Sequence, residues 1–210
     1  MTIAREGWPY ILVLLTAMVL LFAFRFQVTG VIVLILALFT TFFFRDPERE
    51  IPEGPRLVLS PADGKVVQVL RAPDDHPLGK GSTQVSIFLS IFDVHINRSP
   101  IQGRVVAVEY HQGEFLPAFD DKASLRNEQN SVTVEGGGGR VIFKQIAGLI
   151  ARRIVFRRRV DDEVAAGERV GLIKFGSRVD VFLPVGVEVK VKVGDRVRGG
   201  SSVLAERPTS

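Results

Sequence analysis

Three Gly-Ser pairs punctuate the chain: Gly81-Ser82, Gly176-Ser177 and Gly200-Ser201. Such a pair is ordinarily a turn. The first lies in the polar loop PDDHPLGKGST and the third in a glycine-rich tail, where turns are expected. Gly176-Ser177 is instead wedged between VGLIKF and VDVFLP, two apolar, strand-like stretches. A turn forced into that position can hold a strained peptide bond, and strain of this kind collects at functional sites. The chemistry open to the pair is self-cleavage. The Ser177 hydroxyl attacks the Gly176 carbonyl, and the amide becomes an ester. Elimination across Cα–Cβ of Ser177 releases the upstream chain as a carboxylate, and the dehydroalanine left behind hydrolyses to a pyruvoyl group. That route requires a general base and an oxyanion donor.

Candidates for the base are few. Only His76, His95 and His111 supply imidazoles, so a histidine-rich metal centre is not expected and no metal site is assigned. The absence of cysteine removes disulfides, thiolate zinc sites and thiol nucleophiles, and leaves the redox compartment open. Asp63 lies in Pro-Ala-Asp-Gly, which read alone is a good turn. Asp93 and His95 stand two apart in SIFDVHINRSP. In an extended segment they share one face, and a carboxylate beside an imidazole is how a base is oriented; the structural reading of an Asp-x-His pair stands beside this one.

The elements that must position these groups fall into two parts. Residues 8–44 contain only Arg25 and Gln27 as strongly polar side chains. Tyr10–Phe24 and Val28–Phe44 are apolar runs of 15 and 17 residues. As helices they reach roughly 22 and 25 Å, slightly short of a hydrocarbon core of about 30 Å. Trp8, Pro9 and the Arg25–Gln27 turn can lengthen them, which predicts a transmembrane helical hairpin over residues 1–44. A signal peptide is the rival for the first run, but no small-residue cleavage site precedes the second. Arg5, Arg45 and Arg49 flank the hairpin and place both ends in the cytoplasm by the positive-inside bias, with Arg25 a contrary vote.

RDPEREIPEGPR, residues 45–56, reads as a juxtamembrane linker, since three prolines and dense charge preclude a helix. Residues 57–210 then hold short β-branched runs: 65–70, 84–92, 103–110, 131–134, 140–146, 170–175, 178–183 and 187–193. Their spacing predicts a mainly β sandwich or barrel with one helix around 117–128. The tail VKVGDRVRGGSSVLAE predicts the hammerhead hairpin of biotinyl- and lipoyl-like hybrid barrels, without a lysine placed for modification. AGLIARRIVFRRR, residues 147–159, carries Arg152, Arg153, Arg157, Arg158 and Arg159. Phe156 is its lone aromatic, so a solvated face or a patch for anionic headgroups fits better than nucleic acid. The net charge of +4 suits either.

Taken together, FFRDPER at 43–49, SPADGKV at 60–66, DVHINRSP at 93–100, QIAGLIARRI at 145–154, GLIKFGSRVDVFLP at 171–184 and VKVGDRVRGG at 191–200 resemble the phosphatidylserine decarboxylases of the short prokaryotic type. The blocks come in the family's order and span essentially the whole chain. The resemblance implies cleavage at Gly176/Ser177 into a β chain (1–176) and an α chain (177–210). Ser177 becomes the pyruvoyl cofactor, Asp63 assists self-cleavage, and His95 protonates during decarboxylation. It implies that phosphatidylserine forms a Schiff base with the pyruvoyl group and leaves as phosphatidylethanolamine, on the cytoplasmic face of the inner membrane. Longer family members carry a second histidine where this chain has Arg98, and arginine is no base at ordinary pH. Two routes stay open: His95 does both jobs, or Asp63 and Asp93 activate Ser177 another way.

Two other readings compete. A membrane-anchored adaptor without catalysis explains the tail and the anchor, but not a Gly-Ser turn between strands. A pyruvoyl decarboxylase of a soluble amino acid explains that turn, but not the anchor. Assembly into a homo-oligomer is left open, and nucleic acid is not expected as a partner.

Overall fold

A computed structural model describes residues 2–114, 126–137, 139–148, 153–174 and 176–208. The chain divides into two compact units, Met1–Glu48 and Arg49–Ser210, so the break falls inside the proline-rich stretch 45–56. In the first unit, strand β1 (Thr2–Ile3) leads through a short 3-10 turn into helix α1 (Trp8–Ala23). A tight turn follows, with Arg25 in the left-handed region at φ 63°, and then helix α2 (Gln27–Phe43). Strand β2 (Arg45–Asp46) returns to pair with β1, so both ends of this unit meet. Arg5–Ala23 is long and apolar enough to cross a membrane, whereas Gln27–Phe43 is shorter. Leu12, Val13, Ile35 and Leu38 are more than half exposed, so apolar side chains line the outside of both helices. The Thr40 and Thr41 hydroxyls donate to the Leu36 and Ala37 carbonyls at 2.8 Å, which hides their polarity within the helix.

The second unit is β-rich. Its strands are β3 (Leu57–Leu59), β4 (Gly64–Arg71), β5 (Thr83–Leu89), β6 (Ile96–Arg98), β7 (Gly103–His111), β8 (Gln129–Gly136) and β9 (Gly139–Ala147). They continue with β10 (Ile154–Phe156), β11 (Glu163–Val164), β12 (Arg169–Ile173), β13 (Ser177–Leu183), β14 (Glu188–Val189), β15 (Arg196–Val197) and β16 (Val203–Glu206). Eight form one antiparallel sheet in the order β11-β7-β8-β9-β13-β5-β4-β15. Two three-stranded sheets, β10-β12-β6 and β14-β16-β3, complete the unit. Register shifts at Val66/Gln68 and Val105/Ala107 mark bulges, which add twist and let the large sheet curl.

β13 is the spine. It pairs with β5 on one side and β9 on the other, and all seven of its residues are buried. Val179 and Val181 join Val85, Ile87, Leu89 and Phe143 in the main core, each apolar side chain contributing about 1.5–3 kcal/mol. The alternate face carries Arg178 and Asp180, paired at 2.6 Å with side-chain exposures of 1% and 0%. Arg178 also reaches Gln68 Oε1 and Ser86 Oγ, at 2.5 and 2.7 Å, so the buried charges are matched.

Several expected elements differ in extent. The strand expected over 84–92 stops at Leu89, because Asp93 Oδ2 takes the Ser90 backbone N–H and hydroxyl at 2.8 and 2.7 Å and bends the chain. The run 187–193 keeps only Glu188–Val189 in a sheet. The two strands of the tail do not form a hairpin with each other: β15 pairs with β4, and β16 with β14 and β3. The helix expected at 117–128 falls mostly outside the described residues; within them, Asn127 bridges to Glu114.

Candidate functional site

Register gathers the site at one end of the large sheet. Ser177 opens β13 and stands opposite Leu89, the last residue of β5, and Ala147, the last of β9. Directly opposed residues share a face, so the serine side chain points with two core residues into apolar surroundings. Its exposure is 0%, and among the described residues its Oγ has no hydrogen-bond partner. A buried hydroxyl in that condition costs about 1–3 kcal/mol. Gly176 before it has φ 55°, a left-handed conformation that glycine adopts without penalty.

Asp63 reaches the same end because β4 begins beside β5. A Cβ on Gly64 would lie 2.2 Å from the Phe88 carbonyl oxygen, so only glycine lets the two strands start this close together. The carboxylate of Asp63 is held from both sides. Arg49 Nη2 donates to Oδ2 at 2.6 Å, and the Gly199 backbone N–H donates to Oδ1 at 2.8 Å. Burial pushes its pKa above the ordinary 3.8; the Gly199 N–H and the Arg49 charge oppose the rise, and the nearby Asp93 charge adds to it.

His95, 2% exposed, leads into β6, and its carbonyl accepts the Ile173 N–H at 3.4 Å, four residues before Ser177. The expected side-by-side carboxylate and imidazole are not what orients the ring. Nδ1 lies 2.9 Å from the Asp93 backbone carbonyl, while the Asp93 carboxylate turns to Ser90 and, at 3.4 Å, to Arg196. The cause is the bend at Ser90–Asp93, which breaks the alternation on which a shared face depends. In a neutral ring Nδ1–H donates to that carbonyl, which leaves the lone pair on Nε2. Neither Asp63 nor His95 hydrogen-bonds the Ser177 hydroxyl.

Arg98 is packed inside the unit. It is 5% exposed, its Nη1 donates to the Gly167 carbonyl at 2.9 Å, and its backbone N–H donates to Pro61. Of the arginine-rich stretch, Arg152 lies outside the described residues, Arg158 is tied to Glu168, and Arg153 is exposed.

Two features escaped the sequence reading. Arg49 was legible as a charge within the linker, yet its partnership with Asp63 crosses 14 residues. A buried amide relay also runs through the core: Asn130 Nδ2 donates to Gln145 Oε1 at 3.0 Å, and Gln145 Nε2 to Asn97 Oδ1 at 2.8 Å. Asn97 Nδ2 is left buried without an acceptor among the described residues. The sequence carried little signal for this relay: Asn97 and Asn130 lie in the polar stretches HINR and QNSV, and only Gln145 sits in a largely apolar run, FKQIA.

A mainly β unit with an orphaned serine after a left-handed glycine, beside a clamped carboxylate and a buried histidine, defines a candidate self-processing site. The phosphatidylserine decarboxylase family profile matches residues 36–205. A protein of Solibacter usitatus named phosphatidylserine decarboxylase proenzyme is 51% identical over 207 residues, covering 99% of this chain and 98% of its own length. Proteins of the same name from Symbiobacterium thermophilum and Syntrophus aciditrophicus are 48% and 46% identical, each covering at least 96% of both chains. The chain belongs to the phosphatidylserine decarboxylase family.

Proposed function

We propose that this chain decarboxylates phosphatidylserine to phosphatidylethanolamine and carbon dioxide, after cutting itself between Gly176 and Ser177. The observation that carries the reading is the Ser177 hydroxyl, buried and without a partner behind a left-handed Gly176. Its neighbours supply the needs of self-cleavage. Asp63, fixed by Arg49 and Gly199, is the base nearest in kind; His95 Nε2 is the alternative acceptor for the hydroxyl proton. Asn97 Nδ2, oriented through Gln145, is a donor available to a developing oxyanion. Attack by Oγ on the Gly176 carbonyl breaks the peptide bond and passes the proton to the Ser177 nitrogen. Loss of the Ser177 Cα proton then expels the Gly176 carboxylate and leaves a dehydroalanine, which water converts to the pyruvoyl group with release of the Ser177 nitrogen as ammonia, so that the β chain is 1–176 and the α chain 177–210.

A pyruvoyl group fits position 177, because it replaces an orphaned donor with a planar carbonyl between Leu89 and Ala147. When formed, it supplies the electron sink that decarboxylation of an amino acid headgroup requires. The chain's own residues do the rest. Leu89 and Ala147 exclude water from one side, and His95, buried and oriented by the Asp93 carbonyl, is the group to hold the proton that replaces carbon dioxide. Exposed Arg153 is available to the lipid phosphate. The apolar outside of α1 and α2 supports a hairpin seated in the bilayer, with Arg5, Arg45 and Arg49 keeping its ends and the catalytic unit in the cytoplasm. Residues 1–44 then form the anchor, 45–56 the linker and 57–210 the catalytic domain.

The test is an intact mass spectrum of the purified protein, with carbon dioxide release from phosphatidylserine vesicles. A fragment of residues 177–210 blocked by a pyruvoyl group, together with gas release, is the expected outcome. A single uncut chain would sink the mechanism and favour a non-enzymatic anchored module.

A further inference from the structure

Beside the candidate site the catalytic unit leaves two large apolar side chains in water. Phe92 is 64% exposed and Val193 is 58% exposed. Both belong to one corner of the large sheet. Phe92 sits in the bend at Ser90–Asp93, directly after the β5 end that faces Ser177. The Asp93 carboxylate ties that bend to Arg196, and Arg196 stands opposite Lys65, two residues beyond Asp63. Gly194, next to Val193, donates its N–H to the Val66 carbonyl at 2.8 Å. Exposed cations surround the apolar pair: Lys65, Arg196 with 76% of its side chain exposed, and Lys192 with 86%. Against these three stand two carboxylates, Asp93 and Asp195. The corner is therefore apolar at its tips and positive on balance.

We infer that this corner, with Phe92 and Val193 at its tips and Lys65, Lys192 and Arg196 around them, docks on an anionic bilayer surface and turns the mouth of the site to the lipid headgroups. The inference rests on the proposed lipid substrate. An exposed aromatic at the headgroup level gains from burying its ring, and exposed cations gain from the negative potential of phosphatidylserine. The same lipid is then both the docking surface and the reactant, so attraction concentrates where substrate is richest. Because an apolar anchor already confines the chain to the bilayer, docking acts by orienting the unit. Its loss shows in turnover, not in membrane partition.

The chain holds one tryptophan, Trp8, so a Trp8→Phe/Phe92→Trp double variant reports from position 92 alone. It would be reconstituted in phosphatidylcholine vesicles with and without phosphatidylserine, and quenched by brominated acyl chains or by aqueous iodide. The expected result is quenching by the lipid and protection from iodide, stronger when phosphatidylserine is present. Phe92→Ser, on the natural background, should cut itself normally and act normally on monomeric short-chain phosphatidylserine. On vesicles its turnover should fall about 5–10-fold, a loss typical of a buried aromatic anchor. Free quenching by iodide with none by lipid, or unchanged turnover of Phe92→Ser on vesicles, would overturn docking. A lipid-independent emission shift that grows with protein concentration would overturn it in favour of a second copy of the chain. An uncut or inactive natural chain would instead overturn the proposed function, so the two failures are distinct.

Discussion

Ser82 and Ser177 occupy matching positions at opposite ends of one strand pair. Ser82 precedes Thr83, which faces Leu183; Ser177 faces Leu89 at the other end, about 20 Å away along the strands. Each follows a glycine of positive φ, 97° at Gly81 and 55° at Gly176. Each is 0% exposed with a hydroxyl lacking a partner among the described residues. The local signature of a positive-φ glycine before a serine with an orphaned hydroxyl therefore occurs twice. What differs is company. Asp63 and His95 gather at the Ser177 end, whereas the loop leading to Ser82 offers His76, whose ring stacks on Phe182 with centroids 4.2 Å apart. Burial without a hydrogen-bond partner is common to both serines, so the neighbours are what distinguish the two ends.

The sharpest way to break this comparison is to delete each hydroxyl. Ser177→Ala should abolish self-cleavage completely, leaving one chain of full mass, while the fold survives because the lost group makes no hydrogen bond. The next largest effect belongs to the company itself. Asp63→Asn keeps the shape and removes the base, and should slow cleavage by roughly 10²–10⁴-fold, the usual contribution of a positioned general base. A time course of chain cleavage during refolding would measure it. If Asp63→Asn cuts at the natural rate, the His95 route is the working one.

The same contrast shows how far sequence carried. Ser177 stood out because an apolar strand on each side of a Gly-Ser pair is locally anomalous, whereas Pro-Ala-Asp-Gly read alone as a turn and Asp63 entered as a candidate only through the family resemblance. The long strands β4, β5, β7, β8, β9 and β13 were legible from their β-branched runs. Strands of two or three residues, such as β6, β10 and β11, were not, since so short a segment shows no alternation. Their pairing comes from partners distant in the chain, as when Ile154 meets Ile173. The orientation of His95 was misread for the same reason: a carboxylate closing the turn at Ser90 cannot be inferred from spacing alone. The second orphaned serine was also invisible, because Gly81-Ser82 lies in a polar loop that gives no hint of burial.

Arg49 offers a finer adjustment of the company around Ser177. Asp63 already titrates above the ordinary carboxylate value because it is buried, and the Arg49 charge holds it down. Removing that charge raises the Asp63 pKa further. The base is active only when ionised, so the acid limb of the cleavage rate should move to higher pH in Arg49→Gln. On that limb the rate drops about tenfold for each unit of displacement, and it recovers at alkaline pH. Arg49→Lys should displace the limb less. A loss of rate equal at every pH would mean that Arg49 only supports the fold.

The smallest expected effect is also the most pointed. Ser82→Ala removes a hydroxyl as buried and as unpartnered as that of Ser177. Deleting an unsatisfied polar group from an apolar site is close to neutral or stabilising, so unfolding should shift by no more than about 1 kcal/mol, toward greater stability. Cleavage and decarboxylation should be unchanged. Ser177→Ala should show the same small gain in unfolding free energy, since the two hydroxyls are equally orphaned, while losing all chemistry. Equal stability effects with opposite functional effects would show that the cost of burying the serine is common to both ends of the strand pair, and that reactivity comes only from Asp63, His95 and Asn97. A cleavage defect in Ser82→Ala would mean instead that strain at one end of the β5–β13 pair is transmitted to the other, and the two ends could no longer be treated as independent.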